Sequence, residues 1–203
     1  MLEIRKAADC GDSLQIRKAV SDIFVDGFYQ WLHYFSKSQE QLAQAFAHIF
    51  QLELFYVALE DGVPVGIAAL TDGVTPCIRF SRQELKKHLG FWMGTIAYAM
   101  LKRELEDHQY PFVLPAGSGS IEFVSVHSAH RGKRTASTLL RHMHETTGYA
   151  DYVLEVADTN SPAVRLYESL GYREFQRVPE KHPKQSGVNF LVYMRYEKGN
   201  TEL

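Results

Sequence analysis

The chain has 203 residues, 45% of them hydrophobic, which suffices for one well-buried domain and crowds two. A formal net charge of −2 argues against holding nucleic acid through the overall field, and two cysteines cannot build a disulfide scaffold. The longest membrane-like run, residues 89–101, falls short of the ~18–20 residues that a bilayer crossing needs. The first eleven residues carry Glu3, Arg5, Lys6 and Asp9 and do not read as a signal peptide. The expectation is a cytoplasmic protein of one domain spanning 1–203, with no membrane and no nucleic acid among its partners.

Residues 2–7 alternate as a short first strand. Asp12 and Ser13 then offer caps for a helix carrying Ile16, Val20, Ile23 and Phe24 at helical spacing. Residues 29–35 (YQWLHYF) form a dense aromatic patch. Such patches mostly pack into a core; the functional alternative is that some rings wall a substrate pocket. Ser38 and Gln41 mark a second capped helix with Leu42, Ala45, Phe46 and Ile49 on one face. The apolar runs 54–59 and 63–70 join through Glu60-Asp61-Gly62, and Asp-Gly between such runs predicts a hairpin. Ser81 and Glu84 open a further helix, read as continuous to about residue 106. Gly90 and Gly94 inside it call for a kink or for close helix packing. Residues 115–120 (PAGSGS) make a flexible connector.

The stretch 121–172 organises the rest. It reads strand (IEFVSV), basic loop (HSAHRGKRTA), helix, strand (ADYVLEVADT) and helix, a pattern that makes a parallel pairing through a helical crossover. Arg131, Gly132, Lys133 and Arg134 crowd the start of the first of these helices. Free backbone N–H groups and the helix dipole both favour an anion there, so phosphate binding is predicted. Ala136, Leu139, Leu140 and Met143 supply the buried face of that helix. The next helix takes Asn160 or Ser161 as its cap, Pro162 in its first turn and Gly171 past its end. Its apolar face includes Tyr167, whose hydroxyl must then find a partner or a ligand. Residues 172–178 and 190–196 read as two more strands, and the polar loop 179–189 between them as a lip over a site. Nine histidines raise the question of a metal, but no carboxylate or cysteine cluster completes a ligand set, so none is expected. Cys77 reads as a buried or incidental thiol.

The pattern V-x-x-x-x-R-G-K-x-x-A-x-x-L-L, followed by N-S-P-A-V-R-L-Y-E-S-L-G-Y, resembles the GNAT superfamily of acetyl-CoA-dependent N-acetyltransferases over residues 121–175. The resemblance implies a mixed, strongly twisted central α/β sheet flanked by helices, and acetyl-CoA as the acetyl donor. It implies that the backbone of Val124, Ser125 and Val126 holds the pantetheine arm. Arg131, Gly132, Lys133, Arg134, Thr135 and Ala136 would cradle the pyrophosphate, Asn160 would touch the cofactor, and Tyr167 would lie near its sulfur. The family loop is Arg/Gln-x-x-Gly-x-Gly/Ala, and here Arg134 stands where its first glycine is expected. Arginine adds bulk at that point but also a bidentate phosphate partner. Acyl transfer needs a polarised carbonyl, an acid on sulfur and a base. A backbone N–H near Val126, Tyr167 and Glu122 are the respective candidates, with Glu155 the second base. Strand alternation places Glu122 on the same face as Val124 and Val126. The alternative function is a non-catalytic acyl-CoA-binding or regulatory module. The amine acceptor, a small molecule or a peptide, is expected to meet residues 29–35, 82–106 and 179–189. A homodimer through the middle helix or the last strand is a further expectation.

Overall fold

Asp61 and Gly62 both take positive φ, 51° and 83°, as a two-residue hairpin turn requires. They fold β2 (Phe55–Glu60) against β3 (Val63–Thr71) in the computed structural model, which describes residues 1–199. β1 (Leu2–Lys6) pairs with β2, and β4 (Ser118–Val126) with β3, all antiparallel. β4 then leads through α5 (Thr135–Thr146) into β5 (Asp151–Ala157), which lies parallel to it. The crossover makes that pairing possible, since parallel neighbours cannot be joined by a tight turn. β7 (Phe190–Glu197) inserts between β5 and β6 (Arg173–Pro179), giving a seven-stranded sheet of order β1-β2-β3-β4-β5-β7-β6.

Each face of the sheet has its own core. On one side α1 (Ser13–Leu32), α2 (Gln39–Phe46), α3 (Arg82–Leu89) and α4 (Phe91–Leu101) bring Phe24, Phe46, Leu85 and Ala97 over Val57, Ile67 and Ala69. On the other, α5 and α6 (Ser161–Ser169) bring Leu139, Leu140, Met143 and Tyr167 over Ile121, Leu154 and Val156. Each fully buried Val, Leu, Ile, Phe or Met among them contributes roughly 1.5–3 kcal/mol relative to exposure. His144 is the polar member of this second core. It is 6% exposed, stacks on Tyr196 at 4.2 Å between centroids, and sets Nε2 2.7 Å from the Tyr172 hydroxyl.

The aromatic patch divides. Leu32 and Phe35 are buried, while Trp31 and Tyr34 stay exposed; Phe28, just before the patch, packs on Phe24 and Phe123 at 4.9 and 6.0 Å. The helix expected over 82–106 is interrupted. Gly90 takes φ 82° and ψ 165°, which no helix accommodates, and separates α3 from α4. Gly94 answers a different demand: a Cβ there would sit 2.5 Å from the Lys86 Cα, so the two helix backbones touch. The kink and the close packing are both real, at different glycines. α4 ends in a single π turn, residues 102–106. The 179–189 loop carries its own short helical turn, α7 (Pro183–Ser186). Among the described residues no helix is long and apolar enough to cross a membrane.

Candidate active site

β4 and β5 pair only where residues 118–121 of one meet residues 151–154 of the other. Beyond Ile121↔Leu154 they part, β4 staying with β3 and β5 with β7. The cause lies in β4. Ser125 pairs with Ile67 and Glu122 with Ala69, so β4 fits one extra residue into the ladder, and Phe123 takes φ 52°. A bulge of this kind bends its strand and sharpens the local twist. The result is a fork whose β4 arm, residues 122–126, presents backbone groups that no strand on the β5 side satisfies.

The bulge also overturns the alternation expected of Glu122. Its carboxylate lies on the α1 side, where it meets Cys77, a member of that core. Val124 packs into the opposite core, and Val126 lies beside Gly66 and Thr135 of the α5 side. Glu122 therefore faces away from both valines, because one inserted residue shifts a period of two. Ser125 points back to α1, its Oγ donating to the Ile23 carbonyl at 3.1 Å.

At the open end of the fork, the basic loop turns into α5. Gly132 has φ 80°, and Arg134 takes a left-handed conformation, φ 63° and ψ 14°, as the N-terminal flanking residue of α5. The backbone thus keeps the shape a glycine would give it, at a cost of about 1–2 kcal/mol for a residue with a Cβ. No side chain caps this helix start, so its first N–H groups remain available to an anion. Two carboxylates tie down the rest of the loop. Asp26 of α1 accepts from the Ser128 N–H at 2.7 Å and from Arg131 Nη2 at 3.0 Å. Glu60 of β2 holds His130 at 2.7 Å and Lys133 at 3.0 Å. Arg134 has no carboxylate partner among the described residues, Thr135 is buried beneath it, and Ala136 is half-buried. Arg134→Gly should relieve the strained φ and raise stability by about 1 kcal/mol in urea unfolding, whereas Arg134→Ala, which keeps the Cβ, should give no such gain.

Asn160 caps α6, its Oδ1 accepting from the Ala163 N–H at 3.3 Å, and Gly171 ends the helix at φ 92°. This fixes Tyr167, 6% exposed, in the core under the fork, with its ring 5.8 Å from that of Tyr172. Its hydroxyl has no hydrogen-bond partner among the described residues. Burial alone pushes the phenol well above its usual range, so it keeps its proton.

A second polar group sits across the sheet, at the crotch of the fork. Glu122 Oε1 accepts from Thr71 at 3.1 Å and Ser120 at 2.9 Å, and Oε2 from the Cys77 thiol at 3.3 Å. Tyr110 extends the chain, its hydroxyl 2.7 Å from Ser120 Oγ. Burial, then the Glu122 charge, hold the Cys77 thiol well above its ordinary range, so it is an inert core thiol. Glu155 stands on the same side, with His108 Nε2 3.2 Å from Oε2 at an angle outside hydrogen-bond geometry. His108 and Tyr110 went unnoticed in the sequence, because no motif surrounds them and their partners lie on strands far along the chain. Among the described residues no three His, Cys, Asp or Glu side chains gather as metal ligands.

A sequence model of the acetyltransferase (GNAT) family matches residues 17–172. Among solved structures, an N-acetyltransferase from Staphylococcus aureus superposes with a TM-score of 0.59 at 16% identity, covering 96% of this chain and 100% of that one. The ribosomal-protein-S18-alanine N-acetyltransferase of Escherichia coli gives 0.56 at 16%, covering 100% and 99%. An acetyltransferase from Salmonella typhimurium, solved with its cofactor acetyl-CoA, gives 0.55 at 19%, covering 100% and 97%. At these identities the similarity is one of fold. No curated protein matches the sequence. Since the family match runs from α1 to the end of α6 and takes in the fork, the loop and the buried tyrosine, this chain belongs to the GNAT family of acetyltransferases.

Proposed function

We propose that the protein moves the acetyl group of acetyl-CoA onto a primary amine by direct attack of the neutral amine. The observation that carries this reading is the fork itself, an open β4 edge that ends at an uncapped helix start. Those features suit a CoA thioester: free strand groups for an amide-bearing arm, free helix N–H groups for a diphosphate. The backbone of Val124, Ser125 and Val126 holds the arm. The loop from Arg131 through Gly132, Lys133, Arg134 and Thr135 to Ala136 holds the diphosphate, with Arg134 offering its guanidinium. Asn160, one oxygen already committed to its helix, has its amide NH2 left for the same ligand. Acetyl-CoA, when bound, supplies an activated acyl carbonyl and a sulfur leaving group. Tyr167, protonated and without a partner, gives a proton toward that sulfur. The acceptor approaches from the α1 side, where Glu122 and Glu155 stand.

Thermal unfolding with acetyl-CoA, followed by thiol release with a panel of primary amines, tests the reading. Acetyl-CoA at 100 times its Kd should stabilise the fold by about 2.7 kcal/mol, and at least one amine should release CoA thiol catalytically. No stabilisation and no release would sink the proposal. Stabilisation without release from any amine would leave a non-catalytic acyl-CoA-binding module.

A further inference from the structure

Resting on that reading of the fork, we infer that His108, with the Glu155 carboxylate 3.2 Å from its Nε2, is the base that takes the proton from the acceptor amine. Glu155 is the first residue of β5 beyond the last rung shared with β4, so it marks the crotch of the fork. It lies on the acceptor side, opposite Tyr167. His108 reaches it from the segment that follows the π turn and crosses the sheet. Tyr110 of that segment packs edge-on against Tyr193 of β7 at 5.8 Å, and Phe112 against the same ring at 5.2 Å. The segment is thus pinned two and four residues past His108, which fixes where the imidazole can sit.

The two carboxylates at the crotch are not equivalent. Glu122 has three donors on its oxygens, leaving about one of its four lone-pair positions free. It is an anchor that joins Thr71, Ser120 and Cys77, with little room for an ammonium. Glu155 faces an imidazole whose side chain is 39% exposed, so a solvent path to the ring exists. With Nε2 turned to the carboxylate, Nδ1 is the free nitrogen and the proton acceptor. It has no hydrogen-bond partner among the described residues.

The charged groups that face His108 are Glu155 of β5, Glu122 of β4 and Glu104 of the π turn, and the Tyr110 ring packs edge-on against it at 6.0 Å. Glu155 comes first in raising the imidazole above its ordinary 6.5, against an opposing effect of burial, and the other two carboxylates add to it. A carboxylate that favours the imidazolium makes the imidazole the better proton acceptor. Protons balance across the reaction. Nδ1 takes one from the ammonium and passes it to water; the nitrogen lone pair bonds to the acyl carbon as the carbon–sulfur bond breaks. The second proton that the nitrogen sheds replaces the one Tyr167 gives to sulfur.

The test has two arms. The first, independent of turnover, follows the His108 imidazole by NMR titration; Glu155→Gln should lower its pKa. The second uses acetyl-CoA with whichever panel amine reacts fastest, across pH. His108→Gln should lower kcat/KM at neutral pH by about 10²-fold and abolish the acidic limb of the profile. Its unfolding temperature and acetyl-CoA affinity should match the parent, and Glu155→Gln should move the limb to lower pH. An imidazole pKa unmoved by Glu155→Gln, or a His108→Gln enzyme within about threefold of the parent, overturns the assignment. So does a limb that survives His108→Gln and vanishes in Glu122→Gln. If the parent binds acetyl-CoA yet acetylates no amine, the transfer reading itself falls, and this assignment with it.

Discussion

Replacing Tyr167 by Phe should cut acetyl transfer by about 10²–10³-fold while leaving acetyl-CoA affinity close to that of the parent. General acid help is worth about that much in rate, and the phenol is set up for it. It is buried in the core below the fork, protonated, and without a protein partner for its hydroxyl among the described residues. A structural role predicts a different outcome. Removing a buried hydroxyl that makes no hydrogen bond is neutral or mildly stabilising. Tyr167→Phe should therefore unfold at the same temperature as the parent or slightly above it. Single-turnover rates with saturating acetyl-CoA, measured beside thermal unfolding, separate the two. Full activity with an unchanged fold would return Tyr167 to the core.

The second large effect concerns acid. Burial, aided by the nearby charges of Arg141 and Lys198, lowers the His144 imidazole from 6.5 to about 4. Between those values the unfolded chain binds a proton that the native chain refuses. Stability therefore falls as pH drops from about 6.5 to about 4, and the loss is complete below that. The gap corresponds to about 3 kcal/mol, a large share of the 5–15 kcal/mol typical of a whole domain. Urea unfolding at pH 7 and pH 4.5 gives the loss for the parent. His144→Gln should show a smaller loss over the same interval, since glutamine has nothing to titrate. An equal loss in both proteins would assign the acid sensitivity to carboxylates instead.

What could be read from the sequence was local. Asp61-Gly62 announces its turn, Asn160-Ser161-Pro162 its helix start, and Gly171 its helix end, because each answers a dihedral or hydrogen-bond demand within a few residues. The βαβα order and the anion-ready loop followed from the same logic. What stayed hidden was set by partners distant in sequence. The bulge at Phe123 exists only in relation to β3, so alternation along β4 gave the wrong face for Glu122. The break at Gly90 was concealed by helix-forming neighbours on both sides. His108 and Glu155 meet across 47 positions, His108 coming from a segment between the 82–106 helix and the 115–120 connector that carries no motif. The left-handed backbone at Arg134 could not be foreseen from an arginine at all.

The fork has a bearing on how the protein behaves in a tube as well as on catalysis. Four ladder rungs are all that pair β4 with β5, and past them two strand margins face one another across the fork. Bare margins recruit foreign strands, the usual seed of clumping. A thioester lying along one margin would shield it and brace the halves together. Stocks saturated with acetyl-CoA should accordingly resist precipitation on warming and yield fewer cuts to chymotrypsin at Phe123 than stocks without it.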